Sequence, residues 1–381
     1  MIDRQRIATL GITTTAAATV ALALWLKPWA AGPLIEQPKP VATDGHRVDV
    51  VFAIDTTGSM GGLLDGAKRT VWSIASHIRD VDKNADVHIG LVAYRDLGDT
   101  YVTKDFAMTS DLDAVFAELA TYQAEGGGDV PEDVDAALYD AVHKMQWRDG
   151  SKKMLFLVGD APPASRGEVQ TYEVSAREAA EKGIMINTIR CGAATDTAEK
   201  WQQIASIAQG EFSTIEQNGG VQQIATPYDQ KMAELSRTID TTAVIYGDAP
   251  AQHAYAEKMA VAASAPAAAM ADRAEYYAKK PMAKGATGGG RAKDDVVGGI
   301  ADGSMDLDKL DQNMLPADMQ GKSKDELRAE AKERTQKREA AQKELDALSK
   351  QRNEYLTKHA DEGGSGFDVQ VKKTVDRELA K

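Results

Sequence analysis

The sequence predicts a doubly wound α/β domain, with a mostly parallel sheet, one antiparallel edge strand and helices on both faces. Two observations predict it. Between Arg47 and Gly247, short aliphatic and β-branched runs alternate with stretches of helical periodicity. The runs VDVVFAI (48–54) and MLFLVG (154–159) are also apolar at nearly every position, as strands covered on both faces must be.

The elements follow in chain order. After VDVVFAI, residues Leu64, Ala67, Val71, Ile74 and Ile78 recur at helical spacing. VHIGLVAY (87–94) is the second strand, and YVTKDFA (101–107) follows closely enough for an antiparallel edge. Ser110 and Asp113 resemble a helix start ahead of Leu112, Val115 and Leu119. Pro131 opens a helix carrying Val134, Leu138 and Val142. MLFLVG and IMINTI (184–189) are strands separated by an alanine-rich helix; Trp201, Ile204 and Ile207 form a helical stripe ending at Gly210. EFSTI (211–215) is the last strand, and Tyr228, Met232, Leu235 and Ile239 line a closing helix.

The flanks differ from this domain. Arg4 and Arg6 precede residues 7–26, IATLGITTTAAATVALALWL, which carry no charge. A span of ~20 apolar residues matches the hydrocarbon thickness of a bilayer. Residues 1–31 therefore read as a signal anchor, with Arg4 and Arg6 on the cytoplasmic side and the domain beyond the membrane. Trp29-Ala30-Ala31 leaves secretion after cleavage as the alternative. Residues 32–46 are a proline-bearing linker. Residues 248–321, rich in Ala, Gly, Met and Asp, are expected to be mostly disordered. Residues 322–381 open with a capping-box pattern at Ser323 and Glu326 and continue as a charged helix that packs weakly or pairs with a partner helix. Its tail, from Gly366, reads as a small docking element.

The chain has 381 residues and a formal net charge of -13. Such a surface offers no basic stripe for nucleic acid, and a hard cation suits it better. The single cysteine, Cys191, excludes an intramolecular disulfide and a zinc site of paired thiolates, and reads as a small buried residue. The six histidines are scattered, with no HExxH spacing.

The chemistry concentrates in FAIDTTGSM (52–60), where an apolar strand stops on an acid and hydroxyls. In a doubly wound sheet, ligands sit beyond the carboxyl ends of the strands, where strand order reverses. Asp55 stands just past the first strand and Asp160 just past MLFLVG, so neighbouring strands would bring both into one crevice. Thr57 and Ser59 follow in a turn tightened by Gly58. One or two carboxylates with neutral hydroxyls and waters describe an octahedral Mg²⁺ site. Little negative charge leaves such a metal electrophilic, with a position open to a carboxylate from elsewhere.

FAIDTTGSM resembles the metal-ion-dependent adhesion site motif, Asp-x-Ser-x-Ser, of von Willebrand factor A domains. The resemblance covers residues 47–247 and includes GLVAYRD, AEGGGDVPEDV, LVGDAPP and WQQIASIAQGEF; it is closest to the bacterial and hemicentin-like branch. It implies Mg²⁺, with Mn²⁺ or Ca²⁺ as alternatives, held by Asp55, Thr57, Ser59 and Asp160. Thr57 replaces the commoner serine and keeps the hydroxyl. The family's distal threonine is absent from GGGDVPED (126–133), which leaves Asp129 as its substitute and Glu132 as a weaker one. An added carboxylate there would tighten metal binding and reduce the metal's appetite for an acidic ligand. The resemblance also implies a non-enzymatic protein whose metal takes an acidic side chain of a partner protein, and the N-terminal segment with Arg4 and Arg6 is expected to place it at the bacterial inner membrane. The second strand's carboxyl end reaches the same face, so Arg95, Asp96 and Asp99, with Glu132, would form the partner-binding rim; a solvated edge turn is the alternative.

Three rivals stand beside this reading. Asp-Thr-Thr-Gly-Ser resembles the phosphoaspartate motif of haloacid-dehalogenase-like phosphohydrolases, with Asp55 as nucleophile. That chemistry needs a lysine and a further acid beside the metal; Lys152 and Lys153 are the available lysines, and Ala164 stands where the acid would be. In a metal-free interaction domain, DTTGS is only a turn in which Ser59 caps the next helix. A partner of AAA+ ATPases would keep the domain in the cytoplasm, against the predicted export.

Overall fold

The computed structural model describes residues 46–128, 131–164, 167–279, 294–359 and 365–380. Strands β1 (Arg47–Asp55), β2 (Asp86–Tyr94), β3 (Thr103–Thr109), β4 (Lys152–Gly159), β5 (Ile184–Cys191) and β6 (Phe212–Ile215) form one sheet in the order β3-β2-β1-β4-β5-β6. Every pairing is parallel except the antiparallel edge β2–β3. The sheet thus grows in both directions from β1, and the strand order reverses between β1 and β4. This is the expected doubly wound sheet with one antiparallel edge.

The side chains of β1 alternate between two cores. Val48, Val50, Phe52 and Ile54 enter a core shared with α1 (Gly61–Val81) and α2 (Leu112–Thr121). Val51 and Ala53 enter the opposite core, under α3 (Val134–His143), α4 (Tyr172–Glu181) and α5 (Thr195–Ile207). Burial on both faces explains why β1 and β4 read as continuous apolar runs. Leu64, Val71, Ile74 and Ile78 of α1 are all buried at the expected spacing. Each contributes about 1.5–3 kcal/mol relative to an exposed position.

Helix starts differ from expectation by one to three residues. Asp111, between Ser110 and Asp113, caps α2 by accepting from the Ala114 amide at 3.1 Å. Asp133 caps α3 through Ala136 at 2.8 Å, so the helix begins three residues after Pro131. Ser59 is no cap: it lies in a 3₁₀ turn over Gly58–Met60, and Met60 precedes α1 without a side-chain cap.

Beyond α6 (Asp229–Asp240) the expected disorder is corrected where the chain is described. Residues 249–279 form α7 (Ala249–Ala263) and α8 (Ala267–Lys279), and α9 (Val296–Asp302) follows. Helix α8 lies across α1 and α6 with Ala268, Ala269, Met270, Ala271 and Ala274 buried. The few bulky residues that suggested disorder serve close helix packing instead, because small side chains let backbones approach. A small third core gathers Val244, Val296, Val297, Leu315, Met319 and Leu327.

The charged helix α10 (Lys324–Lys358) begins with the expected capping box of Ser323 and Glu326. It is not merely solvated, however. Leu345 is buried against Leu235 and Ile239 of α6, and Arg338 and Arg352 are nearly inaccessible. Arg338 pairs with Asp295 at 2.7 Å. Arg352 pairs with Asp229 and Asp272, each at 2.8 Å, and with Glu275 at 3.2 Å. The charges that suggested solvation include the docking contacts themselves.

The tail does dock. Helix α11 (Phe367–Leu379) lies against α1, β4 and β5, and Phe367, Val371 and Val375 enter the first core. Residues 7–26, and nearly all of the linker, lie outside the described residues. Among the described residues, no helix is long and apolar enough to cross a membrane.

Candidate metal centre

The carboxyl ends of β1 and β4 meet at the strand reversal. Ile54 pairs with Val158, so Asp55 and Gly159 end adjacent strands and Asp160 follows at once. Gly159 permits this approach. A Cβ at that position would stand 3.0 Å from the Asp55 Cβ and 3.1 Å from its Oδ2, with the Tyr94 hydroxyl closer still.

Asp55 is fully buried. Its Oδ1 accepts from the Thr57 amide at 2.8 Å and from the Thr57 hydroxyl at 2.6 Å. The Ser59 hydroxyl lies 3.5 Å from that of Thr57. The other Asp55 oxygen, Oδ2, is buried without a hydrogen bond of good geometry, and the Asp160 amide is the donor that stands near the carboxylate. An unpaired buried carboxylate oxygen is costly, and a cation is one of the few guests that would satisfy it.

Asp160 lies within the electrostatic reach of Asp55. Its Oδ2 accepts from Gln217 Nε2 at 2.5 Å, and its carbonyl accepts from the Thr197 hydroxyl at 3.1 Å. Gln217 follows β6 and gives no local sequence signal. Only the fold brings it to Asp160, and Gly192, at φ 74°, leaves room for its amide oxygen.

The loop at 124–128 closes one side. Glu125 N donates to Thr56 O at 3.1 Å, and Gly58 N donates to Gly126 O at 3.3 Å. Gly126 and Gly127 have φ of 79° and 81°, a region that favours glycine. A Cβ on Gly126 would also fall onto the Asp99 carboxylate. Asp99 accepts from the Gly127 amide at 3.2 Å and from the Asp96 amide at 3.4 Å, so it holds this loop beside the turn.

Arg95 does not belong to an exposed rim. It is buried, donates to Thr56 Oγ1 at 3.3 Å and Gln123 O at 2.9 Å, and stacks over Tyr101. It braces the loops from behind. Asp96 is buried as well, and Asp99, half-buried against the glycine loop, is the most exposed of the three. Glu132 is buried at 3% exposure, and its Oε2 has no hydrogen-bond partner. Asp129 lies outside the described residues.

The carboxylates crowd one another. Burial, reinforced by the charge of Asp160, pushes Asp55 up to about 7 despite its bonds from Thr57. Burial, with the charges of Asp55, Asp96, Asp99 and Asp160, pushes Glu132 up to about 8. Raised acids bind more protons folded than unfolded. The metal-free fold therefore loses stability as pH climbs from the ordinary values of 3.8 and 4.5 through about 7 and 8. A divalent cation bound to the ionised forms would remove that slope.

Among the described residues, no three acidic, histidine or cysteine side chains converge closely enough to hold a metal by themselves. Two aspartates with two hydroxyls and water suit Mg²⁺, which keeps several waters and needs no all-carboxylate cage. The donors present fit that ion. The lysines a nucleophilic Asp55 would need stand elsewhere: Lys152 and Lys153 pair with Val48 and Asp49 at the opposite end of β1. At ~3.3 Å per residue that is roughly 20 Å from Asp55.

Residues 49–227 match the family model of the von Willebrand factor A domain. Among curated proteins, the alpha-protein kinase vwkA of Dictyostelium discoideum is 27% identical over 119 residues, 30% of this chain and 18% of that protein. The chain spans less than a fifth of the length of the curated relatives it matches. Among solved structures, the conserved hypothetical protein BatB from Bacteroides thetaiotaomicron has 18% identity and a TM-score of 0.34, over 44% of this chain and 90% of that one. Proximal thread matrix protein 1 from the mussel byssus, solved with a zinc-occupied MIDAS motif, has 15% identity and a TM-score of 0.34, over 46% of this chain and 43% of that one.

Proposed function

We propose that the von Willebrand A domain of residues 47–247 binds one divalent cation, Mg²⁺ first, and uses it to engage a partner protein without catalysing a reaction. The observation that carries this reading is the fully buried carboxylate of Asp55 at the strand reversal, whose Oδ2 lacks a hydrogen bond of good geometry. Asp55 and Asp160 would supply carboxylate oxygens, and Thr57 and Ser59 hydroxyl oxygens. Asp129 is the further ligand the motif suggests. When bound, the cation supplies a Lewis-acidic point that holds one oxygen of the partner. The protein's own part is to fix Asp55 through Thr57, orient Asp160 through Gln217, and keep the crevice shaped through the glycine loop. The distance of Lys152 and Lys153 from Asp55 favours this reading over phosphoryl transfer.

Isothermal titration of the full chain with Mg²⁺ and Mn²⁺ tests it. Wild type should bind, more tightly as pH rises through about 7 and 8 because protons then stop competing. Asp55→Ala and Asp160→Ala should give no binding heat while keeping a folded circular-dichroism spectrum. Equal heats from all three proteins would remove the cation from the reading.

The proposal also places the domain outside the inner membrane of a bacterium, anchored through residues 7–26. The uncharged length of that segment and Arg4 and Arg6 before it support this topology. An alkaline-phosphatase fusion after residue 45 should be active, and an inactive fusion would reverse the orientation.

A further inference from the structure

We propose that Glu132 sets what this centre accepts: its buried carboxylate, set over the cation's water shell, turns away an acidic partner group and selects a neutral oxygen, a carbonyl or hydroxyl. The inference rests on the cation reading above and deepens it.

Glu132 is built into place. Its amide donates to Pro162 O at 3.1 Å, its carbonyl accepts from Ala164 N at 2.8 Å, and Asp133 beside it caps α3. The side chain has little freedom to turn outward, being 3% exposed. It runs beneath the glycine loop to the motif turn. A Cβ built on Gly127 would lie 3.5 Å from Glu132 Oε1 and 3.4 Å from the Thr57 Cβ, so both side chains border one small space.

The other oxygen of the same carboxyl, Oε2, is buried and lacks a donor. Nothing in the fold rewards a carboxylate left this way, because an unpaired buried acceptor costs its full desolvation. Without a cation a proton satisfies it; in the ionised form, which a nearby cation favours, two guests could do so: direct metal ligation, or a donor brought by the metal. Direct ligation is disfavoured, because Glu132 does not converge with Asp55 and Asp160 as a third close ligand. A water bound to the cation is the remaining donor, and Mg²⁺ and Mn²⁺ sites of this kind keep such waters. Glu132 then orients the cation's water shell, as carboxylates behind metal ligands do elsewhere.

The charge count gives the selectivity. Asp55, Asp160 and Glu132 together carry three negative charges against two on the cation, before any from Asp129, and Asp96 and Asp99 stand within reach of the Glu132 carboxyl. A further carboxylate, offered by a partner, would meet a centre already over-neutralised and would displace the water that satisfies Glu132. A neutral oxygen escapes the first penalty, and where it comes with a hydroxyl or amide hydrogen it also supplies a donor to Glu132 in place of the lost water.

The test uses the full chain in detergent, loaded with Mn²⁺, whose water-proton relaxivity reports metal-bound water. Acetate and acetamide serve as probes of acidic and neutral oxygen. Acetamide should lower the wild-type relaxivity and acetate should leave it unchanged. Glu132→Gln, of equal shape without the charge, should bind Mn²⁺ about tenfold more weakly and become sensitive to acetate. Glu132→Asp, which keeps the charge, should still refuse acetate. If acetate lowers the relaxivity of wild type as strongly as acetamide does, the inference fails while the cation site survives. If wild type binds no Mn²⁺, both fall together.

Discussion

Replacing Arg273 by alanine should destabilise the fold by about 3–5 kcal/mol, the cost of removing one partner from a buried ion pair. Arg273 is fully buried on α8. Its Nε and Nη2 reach the two oxygens of Asp113 on α2 at 2.7 and 2.6 Å, a bidentate fork. Its Nη1 reaches Asp240 at 2.8 Å and Ser236 at 3.1 Å, both on α6. One guanidinium therefore ties three helices, and its loss removes both prongs of a bidentate pair from a buried carboxylate, Asp113 at 1% exposure. Arg273→Lys should recover little, because an ammonium cannot make the planar two-pronged contact. Urea unfolding followed by circular dichroism checks this. A midpoint within error of wild type would show that Arg273 is dispensable to the packing of α8.

That contact also shows where sequence reading loses its grip. β1 and β4 were legible because burial on both faces leaves an unbroken apolar run. The positions of Asp55 and Asp160 were legible because, in such a sheet, the ends of neighbouring strands lie side by side. The nearness of the Thr57 and Ser59 hydroxyls follows from the one short turn that carries both. Arg273, Arg338 and Arg352 were not legible in the same way. A charge buried against a distant acid looks, in sequence, like any solvated charge on a helix, and Asp113 is separated from Arg273 by 160 positions. Gln217 escaped for the same reason, since its role exists only where the loop after β6 passes Asp160. Arg95 misled in the opposite direction. Its place at a strand end pointed to the rim, but stacking on Tyr101 and bonds to two loops turn it inward. The alanine-rich stretch at 249–279 failed as a signal of disorder because small residues are also what closely packed helices need.

Helix α11 shows the sharpest consequence, because it makes the domain discontinuous. Phe367 is 2% exposed, and its ring centroid lies 5.8 Å from that of Phe52, which itself stacks on Phe156 at 5.3 Å. Phe367 thus caps the aromatic centre of the sheet, and Val371 and Val375 continue the same stripe at i+4 and i+8. The helix start is locked as well: Phe367 N donates to Gly219 O at 2.9 Å, and a Cβ on Gly366 would collide with the Gly220 carbonyl. Phe367→Ala should therefore cost about 3–5 kcal/mol, as expected when a large ring leaves a close-packed core. Phe367→Leu should cost much less, because it refills most of the volume. A chain ending at residue 365 should expose the apolar face of β4 and β5 and bind a hydrophobic dye at temperatures where the intact chain does not. A peptide of residues 366–381, added in trans, should restore part of the lost stability, since the groove it fills is formed by α1 and the sheet. If the truncated chain melted at the wild-type temperature, residues 47–247 would be self-sufficient and α11 an ornament on a finished core.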